Sequence, residues 1–334
     1  MKPIVVYTRP KDWFSGGYKS EKLDMIFVPI SGDVPRKRNG RIAGDGIGDV
    51  LTEKGIKTLY LTVKKYQPQV FFHSIHAKID KRILKIVKSF SPKTLIIVNE
   101  SNYPNDVSPY FGINRNWTDG VLLNSRDKQV YNRYCALAYE PRMVDTFYDG
   151  FSPKDIVYVD RERKFDCFFG GSNLYIDRDV FKFPLGKFRE SFIKGVAKEF
   201  NLDLHGSSKE WGSIANGILT YPHYFPSFQN SNIILGSNHY DLTRYYTRRL
   251  IHSVASGRMF LTRYIPEMEE DFTNRKHLVW FHTLDEGFDM IRYYLKNPKE
   301  RETIARQGRE LFLVKHTWKA RLAEFEKYVE RILA

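Results

Sequence analysis

At 334 residues, 42% hydrophobic and 28% charged, the chain exceeds what one core organises, and two domains of about 150 residues each are the expectation. This composition excludes disorder. No apolar run reaches the roughly 18 residues that cross a bilayer, so no transmembrane segment is expected. Cys135 and Cys167 lack any CxxC or Cys/His spacing, which argues against a zinc site or a disulfide framework and for two buried free thiols.

The formal charge of +14 is uneven. Residues 1–150 hold 24 Lys and Arg against 15 Asp and Glu, or +9, and the remainder 29 against 24, or +5. Such a surface attracts polyanions, although it also serves solubility alone.

MKPIVVYTRP reads as a first β-strand, Ile4 to Thr8, rather than a signal peptide, and we expect a cytoplasmic protein, in the host-cell cytoplasm if viral. Further strands are expected at Met25 to Pro29, Thr58 to Thr62, Val70 to His73, Thr94 to Asn99 and Gly120 to Asn124. KIDKRILKIVKSF, Lys78 to Phe90, spaces Ile79, Ile83, Ile86 and Val87 as a helix with a lysine-rich outer face and stops at Ser91-Pro92. Residues 140 to 164 lack a sustained period and carry two prolines and many charges, so the linker is placed at 141–164 after a domain 1–140. A second series follows over 165–320: strands at Lys164 to Gly170, Leu202 to His205, Ile233 to Leu235 and Met259 to Thr262, helices at Gly186 to Phe200 and Arg248 to Ser256, and a helical end from about Glu286. Residues 321–334 form a closing helix able to pack back on the first domain. The expected class is α/β, two Rossmann-like doubly wound domains facing a cleft at the carboxyl ends of their strands.

From Leu242 the order of features resembles the C-terminal domain of group 1 GT-B glycosyltransferases, in particular the spore-maturation-protein (CgeB-type) branch. RLIHSVASGRMFLTRYIPEMEEDF, Arg249 to Phe272, is similar to that group's helix, small-residue turn, strand and proline-containing loop, and Leu284 to Leu322 to its closing helices. FDCFFGGSNLYIDRDVF, Phe165 to Phe181, resembles the strand and glycine turn opening the donor domain, and WTDGVLLNS, Trp117 to Ser125, the last N-terminal strand. The resemblance implies an enzyme that moves a sugar from a nucleotide diphosphate donor, a UDP-sugar by default, with retention and no other cofactor. Arg249 matches the arginine of the family's Arg-x-x-Glu pattern and Gly257 the glycine ending that helix. The acidic residue, which binds the donor ribose in the family, corresponds here to His252, an imidazole that can bond a hydroxyl without a carboxylate's charge.

The residues support a donor site independently, because a diphosphate needs exposed N–H groups and cations. Gly170, Gly171 and Ser172 follow a strand, and Arg178 follows them; a plain tight turn with a surface arginine is the competing reading. Arg244, Arg248 and Arg249 precede or open a helix whose dipole would face the diphosphate, one of the three pointing inward.

On the acceptor side, Gly16 and Gly17 sit where GT-B enzymes place a glycine loop, or form an ordinary turn. His73 and His76 end a strand where related retaining enzymes carry a sugar-contacting histidine, with His76 slightly preferred, and Glu100 ends the next strand. PRKRNGRIAGDGIGDV puts Arg36, Lys37, Arg38 and Arg41 beside a GDGIGD turn that suits a phosphate-rich acceptor, with Asp45 or Asp49 as a base or as turn residues. Asp177 and Asp179 flank Arg178 like a metal-binding DxD, yet a helix start accounts for them, and no metal is expected.

For the acceptor, charge narrowly favours a polyanion such as hydroxymethylpyrimidine in phage-type double-stranded DNA, that is, a DNA-binding enzyme of DNA modification, over a cell-envelope or small-molecule glycan. The non-enzyme alternative is an inactive sugar-nucleotide or nucleic-acid binding module, motivated by His252.

Overall fold

The structure, a computed structural model, describes residues 1–8, 18–29, 52–74, 81–100, 118–136, 140–159, 162–173, 183–219 and 224–334. The chain divides into two compact units, Met1–Tyr148 with Trp318–Ala334, and Asp149–Thr317.

In the first unit, strands β1 (Ile4–Tyr7), β2 (Asp24–Phe27), β3 (Val70–Ser74), β4 (Leu95–Glu100), β5 (Gly120–Leu123) and β6 (Val144–Thr146) form a sheet in the order β2-β1-β3-β4-β5-β6. Every pairing is parallel. Helices α1 (Glu53–Tyr66), α2 (Lys81–Phe90) and α3 (Lys128–Cys135) connect these strands. Alternation along the strands sends Val5, Tyr7, Val70, Phe72, Ile97 and Leu122 into one apolar cluster. Trp318, Phe325, Val329 and Ile332 join it from the last helix of the chain (Trp318–Leu333), whose apolar residues recur every three or four positions. The sheet therefore runs past residue 140, because Val144–Thr146 pairs with β5 as its edge strand, and the units divide between Tyr148 and Asp149.

The expected strand at Thr58 to Thr62 is instead the middle of α1. Thr52 caps the helix, its hydroxyl accepting from Gly55 N at 3.0 Å, and Glu53 supplies a first-turn acid. Gly55, Leu59 and Val63, four apart, are the buried face. The hydroxyls of Thr58 and Thr62 bond the carbonyls of Lys54 and Thr58 one turn back, each at 2.8 Å, so β-branching did not dictate a strand.

In the second unit, β7 (Phe165–Gly170), β8 (Leu202–His205), β9 (Ser231–Gly236), β10 (Met259–Arg263) and β11 (Val279–Phe281) form a parallel sheet in the order β11-β10-β9-β7-β8. The helices in chain order are α4 (Gly186–Glu199), α5 (Ser208–Trp211), α6 (Tyr224–Phe228), α7 (Arg248–Ala255), α8 (Leu284–Lys296) and α9 (Pro298–Lys315); the closing helix of the first unit is α10. A capping box between Thr283 and Glu286 starts α8, and Asn297-Pro298 ends it and opens α9. Gly257, at φ +75°, ends α7 in the left-handed conformation. Cys167, Phe169, Ile193, Leu204, Ile233, Leu235 and Leu261 make the centre of the core. Cys135 and Cys167 are both free, but only Cys167 is buried; Cys135, at the end of α3, is half-buried.

The chain leaves β7 for β8 on one side and returns to β9 on the other. That reversal makes the carboxyl ends of β7 and β9 the switch point of the sheet, where open α/β sheets bind ligands.

Candidate functional site

At that switch point β7 ends in Gly170-Gly171-Ser172. The turn is held by Gly171 N donating to His205 O at 2.9 Å and by Trp211 Nε1 donating to Gly171 O at 2.7 Å. A side chain at Gly171 has no room, for its Cβ would stand 2.6 Å from Nη2 of Arg189 and collide with Nη2 of Arg249. The glycine thus lets two guanidiniums lie against the backbone.

Arg249 comes from the first turn of α7. Its Nε donates to Gly170 O at 2.8 Å, its Nη1 stands 3.4 Å from Ser237 O, and the group lies 5.0 Å from the centroid of the Phe169 ring. Arg189 comes from α4, is buried, and packs on the same ring at 5.0 Å. Its Nη1 lies 2.6 and 2.8 Å from Nδ1 and Nε2 of His239, donating to whichever nitrogen is unprotonated. Burial, then the charges of Arg189 and Arg249, push His239 far below its ordinary pKa and keep it a neutral acceptor.

Among the described residues neither arginine has an ion-pair partner, and Nε and Nη2 of Arg189 are buried without a hydrogen-bond partner. The nearby Glu210 spends Oε2 on Asn173 N at 3.0 Å. Burial and then the charge of Arg249 hold Arg189 well below its ordinary range, and burial lowers the pKa of Arg249. With both Nη2 atoms against one glycine they are within about 5 Å of each other, a repulsion on the order of 3 kcal/mol at an effective dielectric of 20. The helix adds to it: α7 begins after Thr247 without a side-chain cap and has no acid in its first turn to offset its positive end. A fold tolerates this arrangement best when an anion completes it.

The other arginines expected here are otherwise engaged. Arg244, at φ +49°, grips Asp271 through Nε at 2.7 Å and Nη2 at 2.5 Å. Arg248 faces Asp149 at 3.3 Å. His252 is buried one turn along α7 with its ring edge-on to Phe225 at 5.0 Å. Gly170, Gly171 and Arg249 are brought together; Ser172 continues the turn, partly exposed. Arg178, with Asp177 and Asp179, lies outside the described residues, as do Gly16, Gly17, Arg36, Lys37, Arg38, Arg41, Asp45, Asp49 and His76. Glu100 closes β4. His73 stands at the end of β3 in the first unit, buried, with Nδ1 2.5 Å from Thr8 Oγ1. Among the described residues no three His, Cys, Asp or Glu side chains gather as a metal site, and no helix is long and apolar enough to cross a membrane.

Arg189 and His239 escaped the sequence reading. A signal existed: Arg189 occupies the buried period of α4 with Phe192, Ile193 and Val196, a charge where the pattern calls for an apolar residue.

A model of the glycosyl transferase-like family matches residues 189–327. Among solved structures, the chain is similar throughout to a sucrose-phosphate synthase from Thermosynechococcus elongatus, with a TM-score of 0.61, 12% identity, and 100% of this chain and 99% of that one covered. HepE from Anabaena, solved with UDP and glucose, matches with a TM-score of 0.58 and 7% identity over 98% of this chain and 99% of its own. TarM matches 87% of this chain and 63% of its own at a TM-score of 0.53 and 11% identity. No curated protein matches by sequence. The chain accordingly has the GT-B fold of two parallel-sheet α/β units, and its residues 189–327 carry the pattern of the glycosyl transferase-like family.

Proposed function

We propose that this chain is a glycosyltransferase that takes a sugar from a UDP-sugar and passes it to a hydroxyl acceptor. One observation carries the reading: Arg189 and Arg249 meet at Gly171 with no carboxylate partner among the described residues, at the switch point of the sheet and the start of α7. HepE, of the same fold, was solved with UDP-glucose, which supports the choice of donor. In transfer, the bond from the anomeric carbon to the β-phosphate oxygen breaks as the acceptor oxygen bonds that carbon and its proton passes to the departing phosphate oxygen. Negative charge grows on the departing diphosphate, and fixed guanidiniums, the Gly171 turn and the end of α7 stabilise it without reorganising. The guanidinium pair supplies the positive charge, and we assign retention of configuration by resemblance to group 1 enzymes.

For the acceptor we propose a hydroxyl on a polyanion, hydroxymethylpyrimidine DNA first among them. The support is the +9 charge of residues 1–150, with Arg36, Lys37, Arg38 and Arg41 as phosphate contacts, Asp45 beside them, and His76, His73 and Glu100 as acceptor-side candidates. The test incubates the protein with UDP- and GDP-sugars and with hydroxymethylated DNA, plain DNA or envelope glycans, and reads released nucleotide and the mass of digested nucleosides. A hexose-sized gain on hydroxymethylated DNA alone supports both parts. Donor turnover without labelled DNA removes the DNA acceptor, and the absence of UDP binding removes the donor site.

A further inference from the structure

The charge that suggested a nucleic acid is partly held on an ordered helical face with a different character. On α1, Lys54, Lys57, Leu61 and Lys64 are spaced three or four apart and, with Tyr60 next to Leu61, form one solvent stripe opposite the buried Gly55, Leu59 and Val63, with Lys65 beside it. Leu61 is 54% exposed and Tyr60 38%. The Tyr60 ring is set edge-on against Phe90 of α2 at 4.8 Å, and Lys64 Nζ reaches over it at 6.0 Å. The four lysines have no ion pair among the described residues; Glu53, at the start of α1, is 3.7 Å from Arg82 of α2, itself exposed beside Lys85.

We propose that this α1 face docks the first unit onto an anionic lipid surface. Charge complementarity selects an anionic partner, and the residues between the lysines select lipid over nucleic acid. A leucine more than half exposed and a tyrosine held edge-on fit the boundary between headgroups and acyl chains, while flanking lysines extend their stems and keep their ammonium groups among the phosphates. A duplex would set Leu61 against charged phosphates and gain nothing from it. The contact is peripheral, the stripe from Lys54 to Lys65 spanning about 16 Å of helix. The inference stands on this face alone and is independent of the donor reading.

The test uses the full chain in co-sedimentation with vesicles of phosphatidylcholine alone or mixed with phosphatidylglycerol. The expected result is binding to the mixed vesicles only, weakened about 20-fold or more by Lys57→Gln/Lys64→Gln, at about fivefold per lysine. Leu61→Ser, at an exposed position that leaves the fold intact, should also weaken it severalfold, and UDP affinity by calorimetry should be the same in all variants. Binding that ignores both changes overturns the proposal. So does a face whose lysine variants weaken duplex DNA binding while Leu61→Ser leaves vesicle and DNA binding untouched, which assigns it to nucleic acid. UDP affinity lost in these variants would reveal misfolding, and Lys57→Arg/Lys64→Arg, keeping charge and shape, must then restore both readouts or the proposal falls.

Discussion

The second unit holds two arginine clusters at opposite ends of its sheet, and they are built differently. At the amino-terminal edge, Arg163 and Arg301 bond Glu302, Arg163 through two contacts at 2.5 and 2.7 Å and Arg301 at 3.2 Å, with Arg258 Nη1 3.8 Å from the same carboxylate. At the carboxyl edge, Arg189 and Arg249 share a glycine and a phenyl ring but, among the described residues, no carboxylate. Burial alone does not separate them, since Arg258 and Arg189 are both almost wholly enclosed. A buried cation with a carboxylate is a fastening, whereas on the proposed reading the pair at Gly171 is neutralised by the donor's diphosphate.

The largest effect that would break this contrast is at Arg189. Replacing it by Met should lower UDP affinity about 100-fold, as for loss of a charge-assisted contact, while the melting temperature without nucleotide holds or rises because a buried like-charge repulsion of a few kcal/mol is gone. Calorimetry and thermal scans measure both, and a protein that melts earlier without UDP would make the carboxyl-edge cluster a fastening too. Arg249→Met, at the partly exposed member, should cost turnover about 100- to 1,000-fold with a smaller stability change, read as kcat and KM for donor hydrolysis.

Gly171→Ala comes next. Its Cβ would force both guanidiniums aside, so UDP affinity should drop at least tenfold for about 1–3 kcal/mol of overpacking, measured by calorimetry and urea unfolding. If affinity survives, the close approach to Gly171 is incidental.

The amino-terminal-edge cluster should respond in the opposite sense. Glu302→Gln should cost about 1–2 kcal/mol of stability, since the carboxylate is partly exposed, and leave UDP affinity unchanged. Burial pushes the Glu302 pKa up, but the hydrogen bonds and charges of Arg163 and Arg301 outweigh it and leave the carboxyl below its ordinary value. A depressed folded pKa gives stability that is present above the unfolded carboxylate value near about 4.3 and is lost as pH falls through the lower folded value. Acid unfolding of Glu302→Gln should therefore show a shallower stability loss across that window than the parent. The smallest effect belongs to His239: held neutral, it should put no step into UDP affinity between about pH 5 and 8, the range of an ordinary histidine.

Much of the fold was legible because strand alternation and helix period are local. The strands at Ile4, Val70, Thr94, Gly120, Lys164, Leu202, Ile233 and Met259 read correctly to within a few residues, as did the helices at Gly186 and Arg248. α1 did not, because the alternation of Thr58, Leu59, Tyr60, Leu61 and Thr62 looks extended until Thr52 is seen to cap it and Leu59 and Val63 are seen to share a buried face. The three-residue strands at Val144 and Val279 were too short to show a period, and exist through their sheet neighbours.

The sequence by itself determined the class of fold, the glycine turn after β7 and a set of arginines within reach of it. Only the tertiary structure decided among those arginines. Arg244 found Asp271 27 residues away in the chain and Arg248 found Asp149 at a separation of 99, while Arg249 was brought to Gly170 and met Arg189 from another helix. Local pattern tells that a charge is present; what neutralises it depends on which distant segment packs there, and that is a property of the folded chain alone.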